Sequence, residues 1–208
     1  PVGYRPADVV AGDFDGDGVL DLATHEAAGA ASVLGGNGDG TFRPRVALAP
    51  GPDAQGAGPG GVEALDLDRD GRLDLAIGAP GGSRVMIRYT HASPGGSHVA
   101  WIKPNAHSHH YRPEFGRALA VGDFNGDGFA DLAVGAPSYT TPPTGGGVLE
   151  TRGAVFVFHG SSHGLVDEPL AITGPYDGGD PFELGGALAG ADVNGDGKSD
   201  LILYNASP

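Results

Sequence analysis

A nine-residue pattern of alternating oxygen side chains occurs four times in this chain, and it fixes what the surrounding residues can form. One copy runs from Asp123 to Asp131, with Asp123, Asn125, Asp127 and Asp131 at alternate positions. The remaining alternate position, Phe129, offers only its backbone carbonyl. Gly128 permits the sharp turn that wraps such a loop around a point. The other copies set Asp13, Asp15, Asp17 and Asp21 around Val19; Asp66, Asp68, Asp70 and Asp74 around Arg72; and Asp192, Asn194, Asp196 and Asp200 around Lys198. Gly18, Gly71 and Gly197 match Gly128. One Asp-Gly cluster is an ordinary turn. Four in register point to ion loops, each offering three or four carboxylates and one carbonyl. With water completing six or seven oxygens, that set suits Ca²⁺ better than Mg²⁺. All twenty positions are therefore expected to hold about four Ca²⁺ ions in a structural role.

The charge balance follows from these loops. The chain has 208 residues and a net charge of -14. Fourteen of its 26 acidic residues lie in the four loops, and the other twelve match the twelve Lys and Arg. Four bound Ca²⁺ would leave about -6. The acidity thus belongs to ion sites, and no basic face for nucleic acid or anionic membrane is present. The chain has no cysteine, which excludes disulfides and thiolate metal sites. No run of 18 apolar residues occurs, so no membrane insertion is expected. The start at Pro1, without Met or a signal-like segment, reads as a processed or excised piece.

The leading Asp residues are spaced 53, 57 and 69 apart. Each loop joins two short β runs: Asp8 to Ala11 and Leu20 to Thr24, Gly61 to Leu65 and Leu73 to Ile77, Ala118 to Val121 and Ala130 to Val134, Gly186 to Ala189 and Leu201 to Tyr204. An EF-hand would need Glu at the twelfth position and flanking helices. Thr24, Ile77, Val134 and Leu203 stand there, and the flanks lack a helical period. Each complete repeat offers two further strands, at Ala31 to Leu34 and Thr41 to Leu48, Arg84 to Tyr89 and His98 to Ile102, Ala154 to Phe158 and Pro169 to Thr173. Four antiparallel strands per repeat of this length make a propeller blade. The expected fold class is all-β: a β-propeller of four-stranded antiparallel blades, about three and a half of them in this chain. The blades are expected at 5–50, 58–104 and 115–174, with a partial blade at 184–208.

Phe115-Gly116, the loop from Gly122 to Gly128, and Gly135-Ala136-Pro137 together resemble a complete FG-GAP repeat, the integrin α-chain type of blade. Gly35 to Phe42 makes the first repeat more similar to the VCBS-type repeat. The resemblance covers nearly the whole chain. Departures occur at Arg5-Pro6 and Gly58-Pro59 in place of Phe-Gly, at Thr24-His25-Glu26 in place of Gly-Ala-Pro, and at Leu184-Gly185 and Tyr204-Asn205-Ala206 in the last repeat. They put blade-edge packing in question and leave the ion loops intact. Seven blades are usual in such propellers, so a second chain or a missing continuation is expected to complete the ring. The resemblance also implies a secreted or cell-surface protein, since extracellular modules hold calcium at ~10⁻⁴ to 10⁻³ M.

Few residues outside the loops suggest chemistry. His107, His109 and His110 read as a solvated loop, a transition-metal site or a ligand loop. Tyr139, Thr140 and Thr141, in the insertion from Ser138 to Arg152, are the candidate recognition loop; an inert excursion is the alternative. By the resemblance, both segments share the face opposite the ion loops. Trp101 reads as core or as a sugar-stacking platform. Asp177 to Asp180 reads as a turn or a weak ion site. Ser161, Ser162 and His163 lack a Gly-x-Ser-x-Gly elbow, and loop carboxylates occupied by calcium cannot act as acid and base. The reading is a calcium-stabilised extracellular recognition or adhesion module without catalysis of its own, taking a glycan or protein ligand, with neither nucleic acid nor membrane insertion. An accessory propeller of a secreted hydrolase and a structural subunit of a larger assembly are the alternatives.

Overall fold

The computed structural model describes residues 6–26, 31–48, 60–90, 97–104, 113–141, 150–151, 153–173 and 183–204. Strands β1 (Pro6–Gly12), β2 (Asp21–Glu26), β3 (Ala31–Leu34) and β4 (Val46–Leu48) form one antiparallel sheet in chain order. Strands β5 (Val62–Leu65), β6 (Asp74–Ala79), β7 (Arg84–Thr90) and β8 (Ser97–Ile102) form the second. The third holds β9 (Leu119–Gly122), β10 (Asp131–Ala136), β13 (Ala154–Phe158) and β14 (Leu170–Thr173), with the small hairpin β11 (Thr140–Thr141) and β12 (Glu150–Thr151) between β10 and β13. Strands β15 (Ala187–Ala191) and β16 (Asp200–Tyr204) pair alone. The chain is thus all-β, and its described residues form three four-stranded blades and a two-stranded pair that matches the inner half of a fourth.

Register ties each loop to its sheet in the same way. Asp21 pairs with Gly12, Asp74 with Leu65, Asp131 with Gly122 and Asp200 with Ala191. The last acidic residue of every loop therefore opens the second strand of its blade. The first strands lie side by side, β1 against β5, β5 against β9 and β9 against β15, so the sheets fan out from a common inner edge.

Packing between blades explains the composition of the second strands. β6 and β10 read Asp-Leu-Ala-Ile-Gly-Ala and Asp-Leu-Ala-Val-Gly-Ala, without apolar-polar alternation, and every residue is buried. Both faces of these sheets are covered by neighbours, so neither can be polar. Leu65, Leu67, Val85, Ile87, Leu132 and Val134 fill the space between second and third blades. Phe115 joins them fully buried, edge-on to Phe156 at 5.5 Å and Phe158 at 6.1 Å. Burying such a ring contributes roughly 2–3 kcal/mol. Phe14, Leu75, Ile77 and Met86 fill the gap between first and second blades. Trp101, half-buried, packs on that cluster, with the Arg84 guanidinium 4.5 Å over its ring.

The Phe-Gly and Gly-Ala-Pro pairs meet across blades. Gly116, at φ 93°, lays its backbone directly on Gly78 of the preceding blade, and Gly185, at φ 95°, does the same on Gly135. A Cβ at Gly78 or Gly135 would strike the next blade's carbonyl oxygen. The first blade departs from this. Register places His25, rather than Thr24, where Gly78 and Gly135 stand. The His25 ring is fully buried, and its Nδ1 accepts the Gly60 amide at 3.3 Å. A side-chain acceptor there replaces close backbone contact. Burial lowers the His25 pKa, against the charges of Asp8 and Glu26, which raise it.

Candidate metal sites

Each loop is shaped by hydrogen bonds its own sequence supplies. The leading Asp accepts the amide of the sixth-position glycine through Oδ2: Gly18 to Asp13 at 2.9 Å, Gly71 to Asp66 at 3.0 Å, Gly128 to Asp123 at 2.7 Å and Gly197 to Asp192 at 2.9 Å. The third-position side chain accepts the amide two residues on, to Asp15, Asp68, Asn125 and Asn194. The fifth-position Asp does so again, accepting from Val19, Arg72, Phe129 and Lys198. These are Asx turns, which Asp and Asn form readily. The sixth-position glycines all have φ between 81° and 86°, where an L side chain is strained. The amide donors hold Asp13 and Asp192 below the ordinary carboxylate range, led by Gly18 and Gly197; the Phe129 amide leads the same effect on Asp127.

The ninth-position Asp has a second task. Asp21, Asp74 and Asp131 are buried, and each accepts two amides from different segments. Asp21 takes Phe14 at 3.0 Å and Gly36 at 2.8 Å, Asp74 takes Leu67 and Thr90, and Asp131 takes Phe124 and Gly160. The carboxylate thus clamps the ion loop to the end of the third strand or the turn just beyond it. Burial raises the Asp74 pKa to about 6 despite those two amide bonds, and the charges of Asp68 and Asp70 add to the rise. A cation in the loop would act in the opposite direction.

Convergence is clearest in the first two loops. Asp13, Asp15 and Asp17 bring carboxylate oxygens within 4.8 Å of one another, as do Asp66, Asp68 and Asp74. In the second loop Asp66 Oδ1 is buried with no hydrogen-bond partner among the described residues. A buried carboxylate oxygen without a donor is costly unless a cation meets it. Asp66, Asp68 and Asp74 together offer three hard oxygens, which fit Ca²⁺. The third and fourth loops repeat the same turn bonds with Asn125 and Asn194 in place of an Asp. Asn125 also donates Nδ2 to Asp127 Oδ2 at 2.8 Å.

The structure adds basic partners that the loop pattern does not announce. Arg43, following the third strand, places Nη2 2.8 Å from Asp17 and 3.1 Å from Asp15. Arg72 reaches the Asp15 carbonyl of the preceding loop, and Lys198 reaches the Asn125 carbonyl at 3.4 Å. Arg69 lies 3.9 Å over the Phe129 ring, and holds a positive φ of 60° where the other loops have glycine. Successive loops are thereby stitched together. Basic residues at Arg72 and Lys198 are visible in sequence, but their targets are not.

Tyr139 and Thr140, expected on an exposed recognition loop, are buried instead. Tyr139 turns back from Gly-Ala-Pro-Ser onto Phe156, ring centroids 5.2 Å apart, and its carbonyl accepts the Gly153 amide. Thr141 pairs with Glu150 in the β11–β12 hairpin. His107, His109 and His110 lie outside the described residues, as do Asp177 to Asp180.

Comparison with known proteins matches this geometry. The FG-GAP repeat matches residues 58–102 and 115–158, and the FG-GAP-like repeat matches residues 13–77. The fourth loop lies beyond both, and its β15–β16 register identifies it. Phosphatidylinositol-glycan-specific phospholipase D of Rattus norvegicus is 40% identical over 155 residues, covering 68% of this chain and 18% of that protein. The Homo sapiens protein of that name is 38% identical over 155 residues, with the same coverage of 68% and 18%. Integrin alpha-7 of Rattus norvegicus is 36% identical over 154 residues, covering 68% and 12%. The chain spans less than a fifth of the length of these relatives.

Proposed function

The chain belongs to the FG-GAP repeat family, and on that premise we propose that it is a calcium-stabilised propeller segment serving as an extracellular recognition or adhesion module. The orphaned Asp66 Oδ1, amid Asp68 and Asp74, carries the calcium part of this reading. About four Ca²⁺ ions would each pin the two inner strands of a blade, so that binding free energy becomes folding free energy. At a free concentration tenfold above Kd, each site adds about 1.4 kcal/mol. Four such sites raise the melting temperature by roughly 10–20 °C for a chain of this size. Thermal melting in calcium and in EDTA measures this; an unchanged melting temperature rejects structural calcium. Loops that fill only near millimolar calcium would be loaded outside cells, which supports a secreted or cell-surface location. No helix among the described residues is long and apolar enough to cross a membrane.

The ligand in this reading is a glycan or a protein surface, consistent with relatives named as an integrin and as a phosphatidylinositol-glycan-specific enzyme. A glycan array run with and without Ca²⁺ separates the two. The second reading, an accessory propeller of a secreted hydrolase, is favoured by identity to a protein named phospholipase D. Catalysis would then lie outside the matched repeats, and phospholipase assay of this chain alone returns nothing; turnover by it overturns that placement.

Ring completion is part of the proposal. Val193 is 66% exposed where the equivalent Phe14 and Leu67 are buried. Leu20 is 67% exposed where the equivalent Leu73 packs on Gly12 and Phe14 of the preceding blade. Among the described residues both end faces lack a neighbouring blade, which a second chain or a continuation would supply. Native mass tests this: a well-folded monomer of 20.8 kDa rejects it.

A further inference from the structure

We propose that Arg43 is a tethered counter-cation of the first loop, and that it weakens calcium binding there. The inference rests on the calcium reading above and adds a residue that tunes one of the sites. In the first loop Asp15 and Asp17 each spend Oδ1 on a turn amide. Their remaining Oδ2 atoms both meet one nitrogen, Arg43 Nη2, at 3.1 Å and 2.8 Å. The guanidinium is held there from the other side, because Nε and Nη2 both donate to the Gly36 carbonyl, at 3.2 Å and 3.0 Å. Gly36 is itself fixed, its amide donating to Asp21 Oδ1 at 2.8 Å. The arginine thus sits on the same clamp that closes the loop, and it faces the oxygens a cation would use.

The leading carboxylates of the first two loops differ. In the second loop Asp66 Oδ1 is buried and without a hydrogen-bond donor among the described residues. In the first loop the leading carboxylate is already met on both oxygens, Asp13 Oδ1 by the Gly16 and Asp17 amides and Oδ2 by the Gly18 amide. Arg43, Asp15 and Asp17 are each 40–45% exposed, so the pairs are weak and water-screened. A divalent ion can therefore displace or share them, at reduced affinity. A unit positive charge about 5 Å from a divalent ion in a water-like medium, after salt screening, weakens binding about three- to tenfold.

The sixth-position glycine amides make each loop readable separately. Gly18, Gly71, Gly128 and Gly197 each donate to their own leading carboxylate. Calcium titration of ¹⁵N-labelled protein, followed at these four amides, gives a midpoint for each loop. Arg43→Gln should lower the Gly18 midpoint three- to tenfold and leave Gly71 unmoved, while Arg43→Lys, which keeps the charge, should stay near the parent. Raising sodium chloride should shrink the difference in Gly18 midpoint between the parent and Arg43→Gln. A Gly18 midpoint that is unchanged or higher in Arg43→Gln overturns the proposal. If none of the four amides responds to calcium, the calcium reading itself fails, which is a distinct outcome.

Discussion

The third blade and the terminal half-blade carry nearly the same loop, yet they are embedded differently. Asp-Phe-Asn-Gly-Asp-Gly in one and Asp-Val-Asn-Gly-Asp-Gly in the other form the same turn bonds, at nearly the same lengths. Around them the likeness ends. Asp131 is fully buried and clamps Phe124 and Gly160; Asp200 is half-buried and takes Val193 and, in place of a third-strand amide, its own loop's Asn194 Nδ2 at 3.3 Å. β10 is buried throughout, whereas β16 has Ile202 and Tyr204 exposed. The loop is a local object, and the clamp exists only where a third strand brings an amide to it.

Three paired substitutions test this contrast. Phe115→Ala should cost about 3–5 kcal/mol, since it empties a buried ring site. Leu184→Ala, at the matching but partly exposed position, should cost roughly half as much or less. Equal losses by urea denaturation would mean that the half-blade is covered in solution and would point to a ring-completing partner. Asp131→Ala should cost about 2–4 kcal/mol, because two amides lose their acceptor, and Asp200→Ala about 1 kcal/mol or less. Both remove the same loop position, so at one fixed saturating calcium concentration the difference isolates the clamp. If Asp200→Ala proves as damaging, the distinction between loop and clamp is wrong. Gly128→Ala and Gly197→Ala should each cost roughly 1–2 kcal/mol, from left-handed backbone strain. Gly128→Ala should be the worse by a few tenths, since a Cβ there meets the Arg69 guanidinium while Gly197 faces open space. Identical melting shifts would remove the Arg69–Phe129 contact from the account.

Much of this was legible in the sequence for a physical reason. Asp and Asn at alternate positions, followed by glycine, settle their hydrogen bonds within five residues, so the loops and their hairpins follow from composition alone. Glycine at Gly78 and Gly135 also marks close approach, although only the fold shows that Gly116 and Gly185 are what approaches. The reading failed where a contact spans blades or folds a loop inward. Tyr139 and Thr140 lie in a polar, proline-rich stretch that reads as surface, yet Phe156, seventeen residues on, draws the tyrosine into the core. In the first blade the sequence sets Thr24 against Gly78, and only the β1–β2 register shows that His25 occupies that place.

By itself, then, the amino-acid order determined four oxygen-rich hairpin corners, the strands on either side of them and the number of sheets those strands build. Tertiary structure decided which corner carboxylates become buried clamps, which corner holds an arginine, and how neighbouring corners touch through Arg72, Arg69 and Lys198. The division follows from range. A turn bond between neighbours forms whenever the two residues are present, whereas the Arg43–Asp17 pair, 26 residues apart, requires the first sheet assembled, and the Arg72–Asp15 contact, 57 apart, requires two sheets stacked at a fixed spacing.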